Sequence, residues 1–196
     1  MKARFGFAVI GMAALALAAC GETAEDPAPP TDEEIAAQTP NAPSNRPITL
    51  LADGLTIAPP EAGGDAVLLD FGDPQDRVVE ELTMVFGGPQ FGTNEECPAG
   101  AITFATFDDF AAHFQDGRFV GWSVSGPSER AEFAGPDGVT LGMGDETVRE
   151  LGTYEAFDDS TLGEEFMLGE GEMAVSGLIE DGQVAALWGG VSCNFR

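Results

Sequence analysis

One histidine, His113, stands alone in the 196-residue chain, and three cysteines, Cys20, Cys97 and Cys193, carry its thiols. A single histidine excludes a histidine metal cluster and puts any imidazole acid–base step on His113. A thiol nucleophile would need Cys97 or Cys193 reduced, low in pKa and close to His113. Ser123, Ser125 and Ser128 have no paired histidine in the sequence, and no Gly-x-Ser-x-Gly turn occurs. Asp108-Asp109, Asp158-Asp159 and Glu164-Glu165 offer carboxylates for glycoside hydrolysis, but among 34 acids no pair is singled out. Asp70, Asp73 and Asp76 come nearest to a calcium loop, which Pro74 and a missing terminal Glu interrupt. No G-x-G-x-x-G opens a helix and no G-x-x-x-x-G-K-[ST] occurs, while Gly135 to Gly144 ends in acids that repel phosphate. No metal site, cofactor or catalytic residue is assigned on this basis, and a thiol- or carboxylate-dependent enzyme is the competing reading. A dehydrogenase has no support.

Lys2 and Arg4 precede an apolar run from Phe5 to Ala18, too short for a permanent membrane span and of secretory length. The run closes on Leu17-Ala18-Ala19-Cys20, which resembles the processing box of bacterial lipoproteins. The resemblance implies removal of residues 1–19 as a signal peptide and acylation of Cys20, first on sulfur and then on the exposed amine. Several acyl chains give stable anchoring where one would not. Gly21, in place of the Asp of inner-membrane retention, favours the periplasmic face of the outer membrane.

Loss of Lys2 and Arg4 leaves six arginines against 34 acids, a formal charge of −28 where the whole chain carries −26. Such a field repels nucleic acid and anionic lipid surfaces. The acids are dispersed, so solubility or salt adaptation explains them more simply than weak divalent-cation binding. In an oxidising compartment the two remaining cysteines most simply pair, and a Cys97–Cys193 disulfide is expected. Closing a loop of about a hundred residues contributes roughly 4 to 5 kcal/mol on the loop-entropy argument.

Residues 20–47 are rich in Pro, Ala and acids and read as a disordered tether that holds the domain off the membrane. Beyond it the chain repeats itself weakly. Asp53-Gly54-Leu55-Thr56-Ile57 returns as Asp137-Gly138-Val139-Thr140-Leu141, and Leu69 to Asp73 as Leu141 to Asp145. Asp116 to Trp122 returns as Asp181 to Trp188 with one residue inserted. These matches predict an α+β fold of two related halves, 48–130 and 131–196, each a short helix packed on an antiparallel meander.

In the first half Asp73 is the expected N-cap and Pro74 the first helical residue. Val78, Val79, Leu82, Val85 and Phe86 form the apolar face, and Gly87-Gly88-Pro89 ends the helix. Strands are expected at Ala101 to Phe107, Phe110 to Gln115 and Arg118 to Val124, with Asp116-Gly117 a tight turn of positive φ. His113 should face Val120 across that hairpin, on the side of Trp122, as a structural histidine. The second half predicts a helix from Asp145 to Leu151 and strands at Glu165 to Leu168, Met173 to Glu180 and Gln183 to Trp188, with a last strand near Val191 to Phe195. The aromatic residues read as packing, with one sheet face covered by helices and the other by the second copy or a partner.

Two capped helices each followed by a meander, in a small lipoprotein, resemble the repeat of the BamE lipoproteins and of the tandem β-lactamase inhibitor protein. Gly138-Val139-Thr140-Leu141-Gly142-Met143 with Val148-x-x-Leu151-Gly152 carries that likeness. Ser160-Thr161-Leu162-Gly163-x-Glu165-Phe166 and Leu187-Trp188-x-Gly190-x-Ser192-Cys193-x-Phe195-Arg196 resemble uncharacterised bacterial lipoproteins. The resemblance implies a non-enzymatic protein-binding or scaffolding module anchored in the cell envelope, with an envelope protein as partner.

Overall fold

The computed structural model describes residues 46–193 other than 127 and 129. The expectations for residues 1–19, for Cys20 and for the tether up to residue 45 lie outside the described residues. Those described form a mixed α+β fold dominated by sheet. Three short strands come first, β1 (Ile48–Leu51), β2 (Gly54–Ile57) and β3 (Val67–Asp70), then helix α1 (Gln75–Phe86). Strands β4 (Gln90–Asn94), β5 (Ile102–Phe107), β6 (Phe110–Gln115) and β7 (Arg118–Ser125) follow as a meander. After β8 (Phe133–Ala134) and the single-turn helix α2 (Asp145–Val148), a second meander runs through β9 (Tyr154–Phe157), β10 (Glu164–Leu168), β11 (Val175–Glu180) and β12 (Gln183–Gly190).

A four-stranded sheet of order β3-β2-β1-β8 faces an eight-stranded antiparallel sheet of order β4-β5-β6-β7-β12-β11-β10-β9. The meanders thus lie side by side with β7 and β12 as the central pair. Ile48, Leu50, Leu55, Ile57 and Leu69 from the small sheet join Phe110, Ala112, Phe114, Trp122 and Val124 from the large one in a single buried core. The Trp122 indole N–H donates to the Leu51 carbonyl at 2.8 Å and ties the sheets together.

Helix α1 buries Val78, Leu82, Val85 and Phe86 on that same face, the stripe its spacing predicts. Phe86 stacks on Phe110 and Phe133 with ring centres 5.9 and 6.1 Å away. Pro74, not Asp73, is the residue that caps α1, and no side chain does the capping. The Asp73 carboxylate is drawn instead to Arg77 and to the Asp70 N–H.

Asp-Gly turns set the register of both central hairpins. Asp116 and Gly117 have φ of 50° and 71°, and Asp181 and Gly182 have 50° and 76°, the mirror-image turn that matches strand twist. Every non-glycine residue of positive φ among those described is an aspartate. Each hairpin then carries a bulge four residues from its turn: His113 pairs with Gly121, skipping Val120, and Leu178 pairs with Ala186, skipping Ala185.

Backbone contacts recur between the meanders at an offset different from the letters. Gly72 N–H donates to Phe119 O, Phe119 N–H to Asp73 O and Gln75 N–H to Gly117 O. Gly142 to Val184, Val184 to Met143 and Asp145 to Gly182 repeat the set. Gly72 therefore answers to Gly142, so Leu69 to Asp73 corresponds to Val139 to Met143 and not to Leu141 to Asp145. Trp122 answers to Leu187 with no insertion, and Trp188 lies on the other face. Helix α2 ends at Val148 because the next turns tighten, Glu150 N–H reaching Thr147 O and Leu151 N–H reaching Val148 O. Val191 to Cys193 is not a strand.

Candidate functional site

The bulge decides which face His113 occupies. Side chains alternate along a strand, so skipping one partner moves His113 away from the Trp122 side, where the unbulged register would put it. It stands on the outer face of the large sheet, opposite the core. Phe104 of β5 pairs with His113 and sets its ring edge-on at 5.0 Å.

A short strap covers the imidazole. At Gly190 the chain leaves β12 with φ of 68°, and Val191 N–H donates to the Val120 carbonyl that the bulge frees, at 2.8 Å. The strap lies directly on Gly121, where any Cβ would collide with the Val191 carbonyl oxygen. That carbonyl accepts from His113 Nδ1 at 2.8 Å. Carbonyls only accept, so Nδ1 carries the hydrogen and Nε2 accepts from the Ser123 hydroxyl at 3.0 Å. His113 is 2% exposed, and burial lowers its pKa while the Val191 bond raises it less. The imidazole is therefore neutral at neutral pH. The expectation that Ser123 has no paired histidine is overturned.

The strap also delivers Cys193 beside Cys97. Both are free thiols, and Cys97 Sγ donates to the Ser192 carbonyl at 3.9 Å. Asn94 Nδ2 donates to Cys193 Sγ at 3.2 Å. Desolvation, then the Cys97 thiol, push Cys193 up to about 11, so it is protonated at neutral pH and a poor nucleophile. His113 spends both ring nitrogens elsewhere, so the thiol–imidazole pair that a cysteine enzyme requires is not assembled.

Two cavities flank Trp188 on the outer face. One, of about 480 Å³, is lined by Asn94, Phe104, His113, Ser123, Leu162 and Cys193 among others. The other, of about 550 Å³, reaches Phe71, Val120, Met167 and Met173. A larger groove of about 770 Å³ between Ser125, Phe133 and Gln183 holds neither histidine nor thiol. Among the described residues no three His, Cys, Asp or Glu side chains are grouped to hold a metal ion. Of the acidic pairs, Glu165 is buried and accepts from Ser160 Oγ at 2.6 Å. Arg130 reaches Asp108 at 3.1 Å, an exposed pair of small energetic weight.

Ser123 carried no local signal beyond its alternation with Trp122 and Val124. Its pairing with His113 needed the bulge, and the bulge left no mark in the letters. No helix among the described residues is long and apolar enough to cross a membrane. The chain matches no known family model, no curated protein and no solved structure.

Proposed function

We propose that this chain is a lipoprotein of the cell envelope, anchored through Cys20 at the periplasmic face of the outer membrane. It binds another protein across the outer face of its eight-stranded sheet. The carrying observation is the pair of cavities that Trp188 helps to line, which give a partner's side chains two sockets. Phe104 and Met173 supply apolar contact beside the buried Trp188, and a chain charge of −26 selects a partner segment that is basic as well as apolar. The matching hydrogen-bond sets and bulges support a chain of two related halves, in the manner of the BamE-like repeat. In the periplasm the adjacent Cys97 and Cys193 become a disulfide that pins the strap to the rim of the site.

A photo-crosslinking residue at Met173, 61% exposed at the rim of the outer face, tests the reading in the native host. The same residue at Met84 on α1, 42% exposed behind the sheet, is the control. A discrete crosslinked product from position 173 and none from 84 supports the assignment. Equal products from both, or none from 173, overturns it. Cys20→Ala should move the chain out of the membrane fraction, and its retention there removes the lipid anchor.

A further inference from the structure

Val191 carbonyl, His113 and Ser123 form a chain of two hydrogen bonds whose proton positions are fixed. Nδ1–H is spent on the carbonyl, and the Nε2 lone pair meets the Ser123 hydroxyl at 3.0 Å. A nucleophile within reach of a base that a third group orients is the geometry of covalent acyl transfer. We propose that Ser123 is a nucleophile activated by His113, and that the 480 Å³ outer-face cavity takes uncharged esters with an apolar acyl group.

Three observations carry this beyond a satisfied pair of polar side chains. Ser123 is half-buried and lines the cavity, while the base behind it is shielded from water. The walls include Phe104, Leu162, Leu178 and Trp188, and among the described residues no Asp, Glu, Lys or Arg contributes to them. An apolar acyl group fits such a lining, and the acidic chain repels anionic substrates. At the corresponding positions of the second meander, counted from its turn and bulge, stand Leu178 and Trp188. The sheet itself therefore does not require a polar pair there.

In the reaction, Ser123 Oγ bonds to the ester carbonyl carbon and its proton passes to His113 Nε2. Collapse breaks the bond to the alkoxide, which takes that proton and leaves as alcohol. Water then attacks the acyl-serine, giving one proton to Nε2. The carbon–Oγ bond breaks, Oγ recovers the proton from Nε2, and the acyl group leaves as carboxylic acid. Ser123 lies on a central strand paired on both sides, so its backbone N–H belongs to the ladder and not to an oxyanion site. Slow acylation is the expected behaviour, and single-turnover labelling is the right readout.

The test uses the full-length chain in detergent with an uncharged alkyl fluorophosphonate. Oγ displaces fluoride, and the hydroxyl proton goes to Nε2. The expected result is one phosphonyl group per chain, on Ser123, absent in Ser123→Ala and formed about 100-fold more slowly in His113→Gln. The labelling rate should climb as His113 loses its proton, with a midpoint below 6.5. Among the described residues Cys193 is the only other titratable group lining the cavity, and it titrates far above that range. No adduct on Ser123 overturns the proposal, as does an adduct whose rate is the same in a folded His113→Gln chain. Should that variant not fold, His113→Asn takes its place, and a labelling rate unchanged in that folded variant overturns the proposal equally. This outcome is independent of the crosslinking result, since labelling needs no partner.

Discussion

His113 Nε2 lies 3.0 Å from the Ser123 hydroxyl, although ten residues and a hairpin separate the two in sequence. The contact joins neighbouring strands β6 and β7, and it exists because the bulge at Val120 turns the imidazole outward. The same bulge frees the Val120 carbonyl for the strap that holds the ring's other nitrogen. One unpaired residue thus builds both hydrogen bonds of the site.

The buried imidazole ties stability to pH. Burial holds the folded pKa of His113 below its ordinary 6.5, against a smaller opposing effect of the Val191 hydrogen bond. Below 6.5 the unfolded chain takes up a proton that the native chain refuses, so stability is lost as pH falls from 6.5 towards the folded value. The slope approaches about 1.4 kcal/mol per pH unit for one group. Urea unfolding between pH 7.5 and 5 should show this decline, and His113→Gln should flatten it.

The thiol pair gives a redox signature. With Cys193 raised to about 11, alkylation by iodoacetamide should be slow at pH 7.5 and accelerate up to pH 11. Oxidation should join Cys97 to Cys193 and raise unfolding stability by roughly 4 to 5 kcal/mol. The double variant Cys97→Ser, Cys193→Ser should form no such bridge and gain no stability on oxidation. Intact mass after oxidation, followed by urea titration with and without reductant, reads all three.

Gly121 is the seat of the strap. Gly121→Ala places a Cβ against the Val191 carbonyl and must displace the strap or distort β7. The expected loss is about 1 to 3 kcal/mol. In nuclear magnetic resonance the His113 Nδ1 proton should lose its protection from exchange. Ala185, on the second bulge, is the control: Ala185→Gly should leave that proton untouched.

Trp122 joins the two sheets through its ring and its N–H. It is fully buried, so Trp122→Phe removes the indole bond to the Leu51 carbonyl, at a cost of about 1 kcal/mol. Trp122→Ala adds a cavity and should cost about 3 to 5 kcal/mol. Urea midpoints of the two variants order the contributions.

Strands and turns were legible where local chemistry decides them. Asp116-Gly117 and Asp181-Gly182 announce hairpins because few other pairs tolerate positive φ at both positions, and the stripe from Val78 to Phe86 announces a helix with one buried side. The edge strands β4 and β9 were not anticipated: the exposed β4 run Gln90 to Asn94 has no alternating apolar pattern, and its pairing is dictated by β5. Val191 and Phe195 suit a strand by residue type, yet Gly190 turns the chain out of the sheet. The bulges were invisible, since skipping Val120 or Ala185 depends on how a hairpin meets the elements packed around it. The serine–histidine pair was hidden with them.

Strand β7 finds its second neighbour only in β12, the last strand among the described residues. During synthesis the first meander is complete long before that neighbour emerges. Its newest edge, with Trp122 and Val124 on one side, stays open for the interval. Such edges recruit wrong partners, and long-range pairing closes them slowly. A holding chaperone would therefore act on the first meander while β7 waits, and shortening the chain before Gln183 would make that vulnerable state permanent.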